Sequence, residues 1–148
     1  MKLDELLRKT AGVDPGCSFD FESRKVHDQV EEVAKKLAAK YGIAKNCGRN
    51  RVTFEGKHVV IKLPRNDKGL DDNMIEANRY SRSEEKDKLA RARLLDIGGV
   101  PVIVMIKVNT MNTLDAVGQK PKWADFFDCG QVGLTKQCKW RAYDYGAL

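Results

Sequence analysis

Apolar residues Val26, Val30, Val33, Leu37 and Tyr41 recur at helical spacing, with Glu31, Glu32, Lys35 and Lys36 between them. That pattern predicts one amphipathic helix, with Ser23 placed to cap its start and Gly42 to end it. Ahead of it, Leu3, Leu6 and Leu7 share a face over residues 2–10, and Gly12, Pro15 and Gly16 then break the chain. A short helix followed by a loop is expected there.

Beyond Gly48 the period changes from helical to alternating. Val52 and Phe54 fall on one side of a strand, Glu55-Gly56-Lys57 supplies a tight turn, and Val59, Ile61 and Leu63 continue on an antiparallel partner, so a hairpin is expected. Residues 64–69 read as a polar loop, after which Asp71 or Asp72 caps a helix carrying Met74, Ile75, Asn78 and Tyr80. The charge-rich stretch 81–91 prolongs that helix or forms a second one. Leu94 and Leu95 begin a strand, Gly98-Gly99 turns the chain, and Val100 to Ile106 has the length and β-branching of a buried strand. Pro101 near its start is tolerable. A looser segment containing Asn109, Asn112 and Gly118 leads to a short helix over 123–127. A last hairpin pairs 131–134 with 140–143, turning near Lys136 and Gln137.

No internal repeat or low-complexity block interrupts this order. The economical architecture is α+β, a mainly antiparallel sheet with packed helices: an N-terminal helical extension over 1–47 and an α+β module over 48–148, compact as one domain. A length of 148 residues, 42% of them hydrophobic and 32% charged, suits a folded protein with a respectable core.

A net charge of +6 and a pI near 9.2 permit attraction to phosphate, whether on nucleotides, nucleic acid or lipid headgroups. The basic residues are spread, with modest clusters at Lys86, Lys88, Arg91, Arg93 and at Lys136, Lys139, Arg141. A solvated lysine face explains them as well as nucleic acid does. Cys17, Cys47, Cys129 and Cys138 lack CxxC spacing, and with only His27 and His58 beside them a zinc site is not expected. No charged-then-apolar leader opens the chain, and no apolar run approaches the ~20 residues of a membrane span. These features predict a cytoplasmic protein with reduced thiols and no membrane contact.

Candidate chemistry rests on three pieces: the strand Val59-Val60-Ile61-Lys62, the helical stretch Asn73 to Tyr80 with Glu76 in it, and the closing Asp144-Tyr145-Gly146. Together they resemble the small lobe, hinge and metal-binding end of protein and aminoglycoside-type kinases over residues 48–146. The resemblance implies that Lys62 contacts phosphate while Glu76 holds it extended. It implies that Met105-Ile106-Lys107-Val108 is the hinge, with Met105 and Lys107 in the adenine-binding strand, and that Asp144 ligands magnesium beside Gln131. ATP and magnesium are the cofactors so implied.

The departures fall where transfer chemistry belongs. Gln131 stands at the position of the kinase catalytic-loop asparagine and Phe126 at that of the base, leaving Asp125 and Asp128 as substitute carboxylates. Gly48 stands alone where a glycine-rich lid is expected. Only two residues follow Gly146, which argues for a shortened module. The closing Gln-Val-Gly and Asp-Tyr-Gly pattern is also similar to uncharacterised phage proteins. Three functions therefore compete: a non-catalytic kinase-like module that docks a protein partner such as a host factor, a small ATP- and magnesium-dependent phosphotransferase or nucleotide-binding protein, and a basic nucleic-acid binder with Trp123 or Trp140 stacking on bases. Cys129 is a candidate thiol, but no neighbouring histidine supports nucleophilic catalysis.

Overall fold

A computed structural model describes residues 17–109, 120–126 and 131–145, with residues 125 and 126 described by their backbone alone. The helix expected over 2–10, the residues Asn112 and Gly118, and both Asp128 and Cys129 lie outside the described residues.

The first described helix, α1 (Arg24–Tyr41), begins where Ser23 accepts a hydrogen bond from the Val26 amide at 3.3 Å and ends where the Gly42 amide donates to Ala38 O. Its apolar stripe buries Val30, Val33, Ala34 and Leu37. These residues share a core with Val52, Phe54, Ile61, Leu63, Val100 and Val102 of the sheet. Each fully buried aliphatic side chain of this kind stabilises by about 1.5–3 kcal/mol relative to exposure.

The sheet consists of β1 (Asn46–Cys47), β2 (Arg51–Glu55), β3 (Val59–Pro64), β4 (Ala92–Ile97) and β5 (Val100–Ile106), hydrogen-bonded in the order β1-β2-β3-β5-β4. Every neighbouring pair is antiparallel. The chain is thus α+β, as its patterning predicts. Gly98 and Gly99 have φ of +58° and +85°, left-handed values that glycine adopts without steric penalty, and they form the tight turn between β4 and β5. On β5 the alternation sends Val100 and Val102 into the core shared with α1, and Ile103 and Met105 into a second core on the opposite face. Both faces are covered, which explains its unbroken apolar run.

The second helix, α2 (Asp67–Arg82), packs against β3, β4 and β5. It starts earlier than Asp71 or Asp72 because Asn66 takes the cap, its side-chain oxygen accepting the Gly69 amide at 2.8 Å. Asp72, Asn73 and Glu76 are accordingly interior residues of the helix, all buried. The helix runs on to Arg82, and a single turn of 3-10 helix follows at Lys86–Lys88.

A second 3-10 turn spans Lys122–Phe126, and a two-stranded hairpin pairs β6 (Val132–Leu134) with β7 (Trp140–Ala142). The hairpin closes on the main body through Ala90, whose amide donates to Ala142 O at 2.7 Å. Leu89, Ile103, Met105, Ala124, Val132, Ala142 and Tyr145 form the second core.

The expectation of reduced thiols is corrected at one pair: Cys17 and Cys47 form a disulfide with Cα atoms 6.0 Å apart. Sequence spacing conceals it because folding lays the segment around Asp20 along the start of α2. The Asp20 amide donates to Arg65 O at 2.8 Å, and the Glu22 amide donates to Asp67 Oδ2 at 3.0 Å. Arg65 ties the two ends further, donating to Ser18 O and Gly48 O. Cys138 is a free, exposed thiol. Among the described residues no helix is long and apolar enough to cross a membrane.

Candidate functional site

Strand alternation decides which side chains meet. Ile61 and Leu63 enter the core shared with α1, so Lys62 between them must face the other way, toward α2. In the same manner Val52 and Phe54 are buried, while Arg51, Thr53 and Glu55 turn to the Lys62 side. On α2, Asp72, Asn73 and Glu76 share one face at spacings of three and four. The sheet thus supplies cations and the helix carboxylates.

Lys62 is 6% exposed. Its Nζ donates to Glu76 Oε1 at 2.5 Å and to the Tyr143 carbonyl at 2.5 Å. Arg51 Nη1 donates to the other Glu76 oxygen and, at 3.2 Å, to Asn73 Oδ1. Arg51 Nη2 donates to Asp144 Oδ1 at 2.9 Å. Asn73 spends its amide nitrogen on Lys62 O and Pro101 O. Burial lowers the Lys62 pKa, and the neighbouring Arg51 charge lowers it too, while Glu76 and Asp144 act in the opposite sense.

The segment bearing Asp144 is held on both sides. Tyr145 is fully buried and donates to Ala90 O at 2.8 Å, and its own carbonyl accepts from Arg79 Nη1 at 2.5 Å. Burial, reinforced by the charge of Glu76, pushes the Tyr145 hydroxyl well above the usual phenolic range. Lys62, Arg51 and Arg79 therefore all grip residues 143–145.

Above this network opens a cleft of about 1060 Å³, lined by the cationic side chains of Lys45, Arg49, Arg51, Lys62, Lys68 and Lys107 against the carboxylates of Glu55, Asp72 and Asp144. All three carboxylates already face a cation: Glu55 has Lys107 at 2.9 Å, Asp72 has Lys68 at 3.4 Å, and Asp144 has Arg51. Lys45 and Arg49 have no carboxylate partner among the described residues. The cleft carries surplus positive charge, and desolvation by its walls strengthens the attraction for an anion.

The structure brings Lys62, Glu76 and Asp144 into one network, with Gln131 and Lys107 on the walls of the same cleft. Met105 is fully buried in the second core, and the Lys107 amide donates to His58 O at 2.9 Å. Asp125 belongs to the 3-10 turn by its backbone, and its side chain, like the whole of Asp128, lies outside the description.

Magnesium fits this donor set poorly. Among the described residues no group of three His, Cys, Asp or Glu side chains is placed to hold a metal. A small, octahedral ion needs several oxygens, whereas Gln131 and Asp144 offer two side chains and Asp144 is already bound to a guanidinium.

Sequence reasoning missed Arg51, Asp72 and Asn73. The signal for Arg51 was present, since it alternates with Val52 and Phe54 and so shares a face with Thr53, the register partner of Lys62. For Asn73 it was the three-residue spacing to Glu76. No family model, curated protein or solved structure matches the chain.

Proposed function

We propose that this chain is a non-catalytic module of kinase-like design whose basic cleft binds the phosphate groups of a small, nucleotide-type ligand, and which acts through binding, with a protein partner taking the output. The observation that carries the reading is the Arg51 guanidinium joining Glu76 to Asp144 beneath a cleft of surplus positive charge. Lys62 and Glu76 stand in the relation of the kinase lysine–glutamate pair, on a strand and on the helix that follows it. Arg51, however, neutralises the carboxylate that a phosphotransferase of that design reserves for magnesium. Affinity for phosphate is kept, and transfer chemistry is not supported.

The test is thermal unfolding of the full chain with ATP or pyrophosphate, with and without magnesium. A ligand that binds only the folded state raises apparent stability by mass action. The expected result is a rise in Tm at millimolar ligand that does not need magnesium and is abolished by the double variant Lys45→Glu, Arg49→Glu. Absence of any shift would sink the binding claim. Transfer of labelled phosphate from ATP to an acceptor would sink the non-catalytic one.

A further inference from the structure

Two buried side-chain atoms among the described residues accept no hydrogen bond, Asp72 Oδ1 and Gln131 Oε1, and both belong to residues lining the same basic cleft. Buried acceptors are nearly always satisfied, because a desolvated oxygen without a donor destabilises the fold by about 1–3 kcal/mol. The co-location calls for a reason. Asp72 is 4% exposed, and its Oδ2 accepts from Asn50 Nδ2 at 3.1 Å. Its Oδ1 has only a charge contact with Lys68 at 3.4 Å. Gln131 is fixed through its backbone, whose carbonyl accepts the Tyr143 amide at 3.2 Å next to Asp144. Neither acceptor suits the ionised oxygens of a phosphate monoester, which have no proton to give.

We infer that the ligand of the cleft carries hydroxyl or amino donors as well as phosphate, so that Asp72 Oδ1 and Gln131 Oε1 select a phosphorylated sugar or nucleoside over a phosphate ester without such donors. The inference rests on the phosphate-binding reading and deepens it. Division of labour follows from charge: Lys45 and Arg49 attract the phosphate, and the two oxygens take the donors of the polyol. A site built around buried acceptors discriminates against analogues that leave them unpaired, since the penalty then falls on the wrong ligand.

The experiment is titration calorimetry of the full chain at pH 8 in metal-free buffer with ribose 5-phosphate and with methyl phosphate, whose dianion has no proton to donate. Ribose 5-phosphate is expected to bind about tenfold more tightly or better. Gln131→Met, which keeps volume, should remove most of that preference and leave methyl phosphate unchanged. Asp72→Asn supplies a second readout whose sign separates recognition from bulk charge. Charge alone would make this variant bind every anion more tightly and keep the ratio of the two affinities, whereas donor recognition makes the ratio fall. Equal wild-type affinities for the two probes, an unchanged ratio in both variants, or ribose 5-phosphate binding that requires added magnesium would each overturn the inference while leaving phosphate binding in place. If neither probe binds, the proposed function falls and takes the inference with it.

Discussion

Asp144 accepts a hydrogen bond from Arg51 at 2.9 Å across 93 residues of chain, and the same guanidinium reaches the fully buried Glu76. The two contacts differ in exposure, and so in worth. Arg51→Met leaves Glu76 balanced by Lys62 alone in a desolvated site, and removing one partner of a buried pair costs about 3 kcal/mol. Asp144 has a side chain 38% exposed, so Asp144→Asn should cost about 1 kcal/mol or less. Urea unfolding of both variants measures the difference. Equal losses would mean that the network is not organised around Glu76.

Glu76 is the carboxylate shared by two cations, and the network is asymmetric as a result. Glu76→Gln leaves Arg51 and Lys62 close together without a counter-charge, for a predicted loss of about 3–5 kcal/mol. Lys62→Met keeps the Arg51–Glu76 pair and deletes an ammonium that burial already disfavours, so about 2 kcal/mol is expected. The order matters more than the values. A Lys62→Met variant less stable than Glu76→Gln would contradict the assignment of Glu76 as the hub.

The elements legible in the chain were those whose burial pattern is simple. The α1 stripe, its Ser23 and Gly42 ends, the β2–β3 hairpin and the buried β5 strand all follow from one-sided or unbroken hydrophobicity. The start of α2 was not legible, because Asn66 outcompetes two aspartates that look equally good as caps. One of those aspartates, Asp72, is held instead as a buried residue that accepts from Asn50 Nδ2. The meeting of Lys62 with Glu76 was readable from a strand followed by a helix. The face that Arg51 occupies on β2 was readable by alternation, but its contacts to Glu76 and Asp144 were not, since those partners lie 25 and 93 residues away. The Cys17–Cys47 bond was hidden for the same reason: long-range neighbours carry no local signal.

Gly69 lies inside α2, where alanine is intrinsically better by about 1 kcal/mol. Here the substitution should have the opposite sign, because a Cβ at this position would sit 2.1 Å from the Asn50 carbonyl oxygen and 3.1 Å from Pro64 Cα. Backbone atoms cannot step aside as a side chain would. Gly69→Ala is therefore expected to destabilise by about 1–3 kcal/mol and to disturb the Asn50 contact to Asp72. A variant as stable as the parent in thermal unfolding would show that the helix start is free to shift.

Tyr145 gives an alkaline signature. Its folded pKa lies above the ordinary value of 10.0, so its contribution is fully present below pH 10 and is lost as pH rises through the folded value. Lys62 works the other way. Its folded pKa is lowered from 10.5, so stability rises with pH between that lowered value and 10.5. Both proteins share the Lys62 effect, and it cancels when Tyr145→Phe is compared with the parent. At neutral pH the variant should be weaker by about 1 kcal/mol through loss of the bond to Ala90 O. That gap should narrow as pH climbs above 10. A gap independent of pH would place the tyrosine hydroxyl in water.

The Cys17–Cys47 link closes a separation of 30 residues, for which restriction of the unfolded chain is worth about 3.6 kcal/mol. A dithiol reductant should lower the urea midpoint of the parent and leave Cys17→Ser, Cys47→Ser unchanged. The loss should also be local. Cys17 is buried in the core with Phe21, and Arg65 spans from Ser18 O to Gly48 O while its own carbonyl accepts the Asp20 amide. Hydrogen exchange after reduction is therefore expected to rise first at residues 17–22 and at the first turn of α2, where the Asp20 and Glu22 amides are fixed, and last in β5, which is covered on both faces. Uniform acceleration through the sheet would mean that the bond holds the whole fold. No change in midpoint or exchange would mean that it holds nothing.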